Sequence, residues 1–190
     1  CLMQVAKLFE LPIRESPDQL FGIECEIEAL DTRVNWDISD DWGVHEDNSL
    51  RNNGREFVTR PLTLKQTLEA FRQLHEGLRF TDPEKAYSSR TSIHVHMNCL
   101  NLEDHQVRRI VLFYALFEEA FFQLVAPARR DNIHCVALVE TFLPTFYGLS
   151  LKGMVSRWSK YTALNLLPLS VYGTLEFRHM HGHNDLEGLS

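Results

Sequence analysis

A chain of 190 residues suits one domain with a substantial core, and 44% hydrophobic against 24% charged residues is the balance of a soluble globular protein. A net charge of −7 without a long basic run argues against nucleic acid as a partner. The four cysteines form no CxxC pair, no run of 18 apolar residues offers a membrane span, and no secretory signal layout opens the chain. The expectation is therefore a reduced, cytoplasmic protein without a membrane partner.

Residues 1–18 read as a lead-in to the first strand. The start at Cys1 and the stop at "HNDLEGLS" suggest one catalytic domain over 1–190 that lacks one or both of its natural ends. "FGIECEIEAL" (21–30) alternates as a strand, with Phe21, Ile23, Cys25 and Ile27 on one face. Glu24, Glu26 and Glu28 line the other face, spaced roughly 6.5–7 Å apart. A polar, turn-rich stretch follows over 31–53, with short strand character around Trp42–His45. "GREFVTR" (54–60) predicts a strand with Glu56 opposite Phe57, closed by Pro61. Thr63 and Gln66 have capping-box spacing, and Leu64, Leu68, Phe71 and Leu74 predict a helix to about Arg79.

"SIHVHMNC" (92–99) alternates again, placing Ser92, His94, His96 and Asn98 opposite Ile93, Val95 and Met97. Asn101 is the expected N-cap of a helix over about 102–124, with Glu103 and Asp104 in its first turn. Its apolar residues, from Val107 through Phe113, Leu116 and Phe117 to Leu124, spread so widely that burial under a sheet is expected. A second helix is predicted over about 131–142, interrupted by Pro144 and Gly148. "TALNLLPL" (162–169) and "GTLEFRHM" (173–180) predict closing strands, the latter with Glu176 and Arg178 on one face. Strands grouped with long helices give an α+β fold: an antiparallel sheet with helices on one face and an open polar face.

That polar face collects Glu24, Glu26, Glu28, Glu56, His94, His96, Glu176 and Arg178. Any single ExE or HxH is more often the wet face of a sheet. Three such strands together shift the balance toward a divalent cation, which reverses the sign of the carboxylate repulsion. Oxygen-rich donors with one or two imidazoles suit Mg²⁺ or Mn²⁺ better than zinc. No GxxxxGK[ST] and no GxGxxG after a strand is present, so a nucleotide would be held through metal and cations. Arg129, Arg130, Lys152, Arg157, Lys160 and Arg178 are the candidates, each weighed against a solvated surface charge. No GxSxG occurs, and Cys25 and Cys99 read as core residues rather than nucleophiles.

With these residues placed, the chain resembles the amidoligase family, within the carboxylate–amine ligase superfamily that includes glutamine synthetase and glutamate–cysteine ligase. "FGIECEIE" is similar to its opening G-x-E-x-E strand, and "EDNSLRNNGREFVTRPL" to a D-x-S-L segment followed by G-x-E-x-V-S-P. "SIHVHMN" is similar to its HVH strand, and "KYTALNL" and "TLEFRHMHG" to its closing elements. Thr59-Arg60-Pro61 and "HMHGHND" depart from the family pattern.

The resemblance implies a glutamine synthetase-like fold, a curved antiparallel sheet that binds Mg·ATP. It implies ligation of a carboxylate substrate to an amine (an amino acid, peptide or protein side chain) through an acyl phosphate. It assigns Glu24, Glu26, Glu56, Glu176 and His94 to the metal and His96 to phosphate or metal. Arg178 is assigned to the γ-phosphate, Arg130 and Lys160 to phosphate or substrate carboxylate, and Asp47 to the amine. Glu28 is expected at the rim, and Tyr161 and Asn165 near the pocket. By analogy with glutamine synthetase a homo-oligomer is also expected. The rivals are a metal-dependent hydrolase on the same face and a non-catalytic relative that kept the fold.

Overall fold

A computed structural model describes residues 3–13, 19–141 and 148–184. The strands are β1 (Leu20–Ile27), β2 (Trp42–Glu46), β3 (Arg55–Thr59), β4 (Leu62–Thr63), β5 (Ser92–Asn98), β6 (Leu164–Asn165) and β7 (Thr174–His181). The helices are α1 (Val5–Leu8), α2 (Leu64–Gly77), α3 (Asp104–Gln123) and α4 (Leu151–Arg157). The chain is α+β, with a seven-stranded antiparallel sheet hydrogen-bonded in the order β2-β3-β1-β5-β7-β6 and with β4 on β1. It forms two compact units, one of Asp18–Val95 and Met180–Ser190, the other of Cys1–Pro17 and His96–His179. No described helix is long and apolar enough to cross a membrane.

In the unit around β1 the alternation holds: Ile23, Cys25 and Ile27 are buried with Phe57, Ile93 and the α2 residues Ala70, Phe71 and Leu74. Burying such side chains contributes roughly 1.5–3 kcal/mol each, and this fixes which face of β1 carries the glutamates. The capping box forms as its spacing predicts, with the Thr63 N–H donating to Gln66 Oε1 at 3.0 Å. Trp42 Nε1 ties β2 to the carbonyl of Ala70.

Three expectations shift in this unit. Leu64 is exposed, and α2 buries Thr67, Ala70, Phe71, Leu74 and Gly77 instead. The helix stops at Gly77, short of Arg79, where a Cβ would stand 1.8 Å from the Asp37 carbonyl oxygen. β1 stops at Ile27, because Ala29 takes a left-handed φ of 55° and the Glu28 N–H donates to the carbonyl of Ala86. Glu28 therefore leaves the carboxylate strip. It is buried rather than at a rim, and its Oε1 accepts the Arg51 backbone N–H at 2.8 Å.

In the other unit the N-cap of α3 is Glu103, boxed with Gln106, and not Asn101. Only the stripe Val107, Val111, Tyr114, Glu118 and Phe122 is buried, packed with Met154, Leu164 and Leu175. Leu112, Phe113, Leu116, Phe117 and Leu124 are exposed, so α3 is not covered all round. No α-helix forms over 131–141. Asn132 Oδ1 accepts the His134 N–H, and the Glu118 carboxylate accepts those of Leu138 and Val139, so side-chain acceptors take amides a helix would have used.

Two further differences lie toward the end of the chain. Helix α4 was not expected; Ser150 caps it, accepting the Gly153 N–H at 3.2 Å. The strand expected over 162–169 shortens to β6, because Pro168 has no N–H to donate and Leu167–Ser170 turn as a 3₁₀ helix. Pro144 lies outside the described residues.

Candidate active site

Register builds the centre of the first unit. Antiparallel pairing sets Glu26 opposite Glu56 across β1 and β3, and Asp47 follows the last residue of β2. One carboxylate oxygen from each of Glu26, Asp47 and Glu56 lies within 4.8 Å of the others. Burial, then the charges of Glu24 and Glu26, push the Glu56 carboxyl above its ordinary range; Asp47 adds to this and His94 opposes it. Asp47 is braced by its own loop, its Oδ1 accepting the Ser49 N–H at 2.7 Å. Three hard oxygen donors at this spacing, raising one another's protonation cost, are the donor set that Mg²⁺ or Mn²⁺ takes.

A second layer of contacts lies on β5. Ser92 Oγ donates to Glu26 Oε2 at 2.5 Å and lies 2.9 Å from His94 Nε2. His94 Nδ1 lies 3.0 Å from Glu24 Oε2. Ser92 and His94 are each only 3% exposed. With the serine proton on Glu26, the row is satisfied when both ring nitrogens carry hydrogen. The imidazole expected to bind metal thus has both nitrogens within reach of protein partners. Ser92 had been read only as a polar-face residue. Its one sequence signal is the period of two that it shares with His94.

The other unit holds Glu176, Arg178, His96, Lys160 and Arg130. Glu176 is buried, with Arg178 Nη1 on its Oε1 and Asn165 Nδ2 donating to its Oε2 at 2.6 Å. The β6–β7 register sets Asn165 directly opposite Glu176. The Arg178 carbonyl accepts from Arg129 Nη2 and from Cys135 Sγ, so the backbone beneath that guanidinium is held from two sides. His96 Nδ1 lies 2.9 Å from Thr174 Oγ1.

The weaker cation candidates sit elsewhere in that unit. Arg130 pairs with Glu119 of α3, and Lys160 Nζ lies 4.9 Å over the half-exposed Tyr161 ring. Cys25 and Cys99 are buried, and burial pushes both thiols up, Cys99 to about 12. Neither can supply a thiolate near neutral pH.

A family model described as "Putative amidoligase enzyme" matches residues 13–186, a span that contains every residue named above as a site candidate. No curated protein and no solved structure matches the chain.

Proposed function

We propose, from the premise that this chain belongs to the amidoligase enzyme family, that it is an ATP-dependent carboxylate–amine ligase. Membership itself carries the coarser statement, an enzyme of the ligase type. The finer reading is supported above all by one observation, the convergence of Glu26, Asp47 and Glu56 with the Glu56 carboxyl pushed up. Without a counter-ion that convergence is unfavourable, and a divalent cation makes it favourable. We read the antiparallel sheet as a glutamine synthetase-like catalytic fold.

When bound, Mg²⁺ or Mn²⁺ would neutralise phosphate oxygens and stabilise the charge that develops on them. Glu26, Asp47 and Glu56 would hold the cation, with Glu24 and Glu176 as further carboxylate ligands. The assignment of Asp47 moves accordingly, from the amine to the cation. Arg178, braced by Glu176, would present its guanidinium to the γ-phosphate, and His96 would offer its ring to phosphate. The substrate carboxylate attacks the γ-phosphorus, giving an acyl phosphate and ADP. The amine then attacks the acyl carbon, phosphate leaves, and the amine proton passes to a base.

Calorimetry with a non-hydrolysable ATP analogue tests this, with and without Mg²⁺, on the wild type and on Glu26→Ala. Mg²⁺-dependent binding that the variant loses, followed by ADP release with an acid and amine pair, is the expected result. A folded wild type that binds no analogue would sink the ligase reading. Turnover of an amide without ATP would favour the hydrolase.

A further inference from the structure

The cation reading leaves Ser92 and His94 without a stated job, although they are the most buried polar residues touching the acidic strands. Their geometry suggests one. Glu24 and Glu26 lie on the same face of β1, and facing them β5 carries His94 and Ser92 at the same period. The contacts run in one row: Glu24 Oε2 to His94 Nδ1 at 3.0 Å, His94 Nε2 to Ser92 Oγ at 2.9 Å, and Ser92 Oγ to Glu26 Oε2 at 2.5 Å. One oxygen of each carboxylate is thereby fixed, and the other is left to point elsewhere. A carboxylate oriented by a buried donor is the arrangement found behind metal ligands, where removing the donor lowers metal affinity by about 10–100-fold.

We propose that Ser92 and His94 are positioning residues, a hydrogen-bonded bracket that aims the Glu24 and Glu26 carboxylates, and that His94 itself does not ligate the cation. The inference rests on the proposed function, since it presumes that the carboxylates hold a divalent ion. It reassigns the first histidine of "HVH" and adds a serine. The physical reason is that a ring with partners on both nitrogens would have to break a buried hydrogen bond before it could bind metal.

Mn²⁺ alone is the probe. Its affinity is measured by calorimetry on the wild type, Ser92→Ala, Ser92→Thr and His94→Asn, with circular dichroism melting as the control for folding. Nitrogen hyperfine coupling to bound Mn²⁺ is read by pulsed electron paramagnetic resonance on the wild type and His94→Asn. The Asn amide can still donate toward Glu24 but cannot ligate as an imidazole.

Ser92→Ala is expected to weaken Mn²⁺ binding about tenfold or more, and Ser92→Thr to keep it because the hydroxyl remains. The nitrogen coupling is expected to be the same in the wild type and His94→Asn. A coupling present in the wild type and lost in His94→Asn overturns the proposal while leaving the ligase reading intact. Unchanged affinity in Ser92→Ala also overturns it. Should Ser92→Ala not fold, a loss of affinity in folded Ser92→Thr overturns it as well. A wild type that binds no Mn²⁺ removes the cation reading, and the bracket with it.

Discussion

Asn165 donates its amide N–H to Glu176 at 2.6 Å, one residue facing the other across the shortest pair of strands in the second unit. Both side chains are about 4% exposed, so the carboxylate depends on this donor and on Arg178 for the hydrogen bonds that water would otherwise supply. Asn165→Leu removes one of them and is expected to destabilise the protein by roughly 1–3 kcal/mol. Urea unfolding reads this directly, and an unchanged midpoint with unchanged slope would show that Glu176 does not need the amide.

Glu118 presents the same physics inside α3. Its buried carboxylate accepts the N–H groups of Leu138 at 2.6 Å and Val139 at 3.1 Å, while burial pushes its pKa up. Glu118→Ala leaves two backbone donors unpaired and is expected to cost about 2–4 kcal/mol. Glu118→Gln keeps one acceptor and should cost less. Thermal melting of the two variants side by side tests the ranking, and equal losses would contradict it.

His179 sets an acid limit. Burial, and then the charge of Arg129, hold its pKa down at about 4 against an ordinary 6.5. The folded state therefore binds fewer protons than the unfolded chain between those values. The stability it contributes is complete above pH 6.5 and is lost as pH falls toward 4, by roughly 2–3 kcal/mol at most. His179→Phe should flatten that part of the stability curve. An equally steep fall in the variant would place the acid sensitivity in another group.

Glu56 gives the opposite sign. Its folded pKa is raised, so in the absence of divalent cations stability falls as pH rises through and above the ordinary carboxylate range. Glu56→Gln is expected to melt higher than the wild type in chelator at neutral pH and to match it in acid. Adding millimolar Mn²⁺ should raise the wild-type midpoint and leave the variant's unchanged. If the variant gains as much from Mn²⁺, Glu56 does not hold the ion.

Gly77→Ala reverses a usual expectation. Inside a helix the change ordinarily gains up to about 1 kcal/mol. Here the new Cβ would stand 1.8 Å from the Asp37 carbonyl oxygen, so the loop must move and the variant should lose about 2 kcal/mol or more. A more stable variant would mean that the loop gives way at little cost.

The parts of the fold legible in the sequence are those where one period governs. The alternation of β1, β3, β5 and β7 and the Thr63–Gln66 box follow from local chemistry, and so does the facing of Glu24, Glu26 and Glu56 away from the apolar cluster. What the sequence hid depends on partners far along the chain. Glu118 reaches forward to Leu138 and Val139 and removes a helix that residues 131–141 would otherwise suggest. Ala29 takes a left-handed turn that no glycine announces, and with it Glu28 leaves the strip. The bracket through Ser92 becomes visible only once β5 lies beside β1, because a serine in a strand carries no motif of its own.

Helix α3 separates hydropathy from tolerance. Along it Leu112, Phe113, Leu116 and Phe117 face outward while the charged Glu118 faces the core. In this chain taken by itself, a saturation scan of the helix would rank positions in the reverse of their apolarity. Polar replacements at Leu116 would be accepted and conservative ones at Glu118 refused, so a forecast of harmful variants based on residue type would fail along this helix.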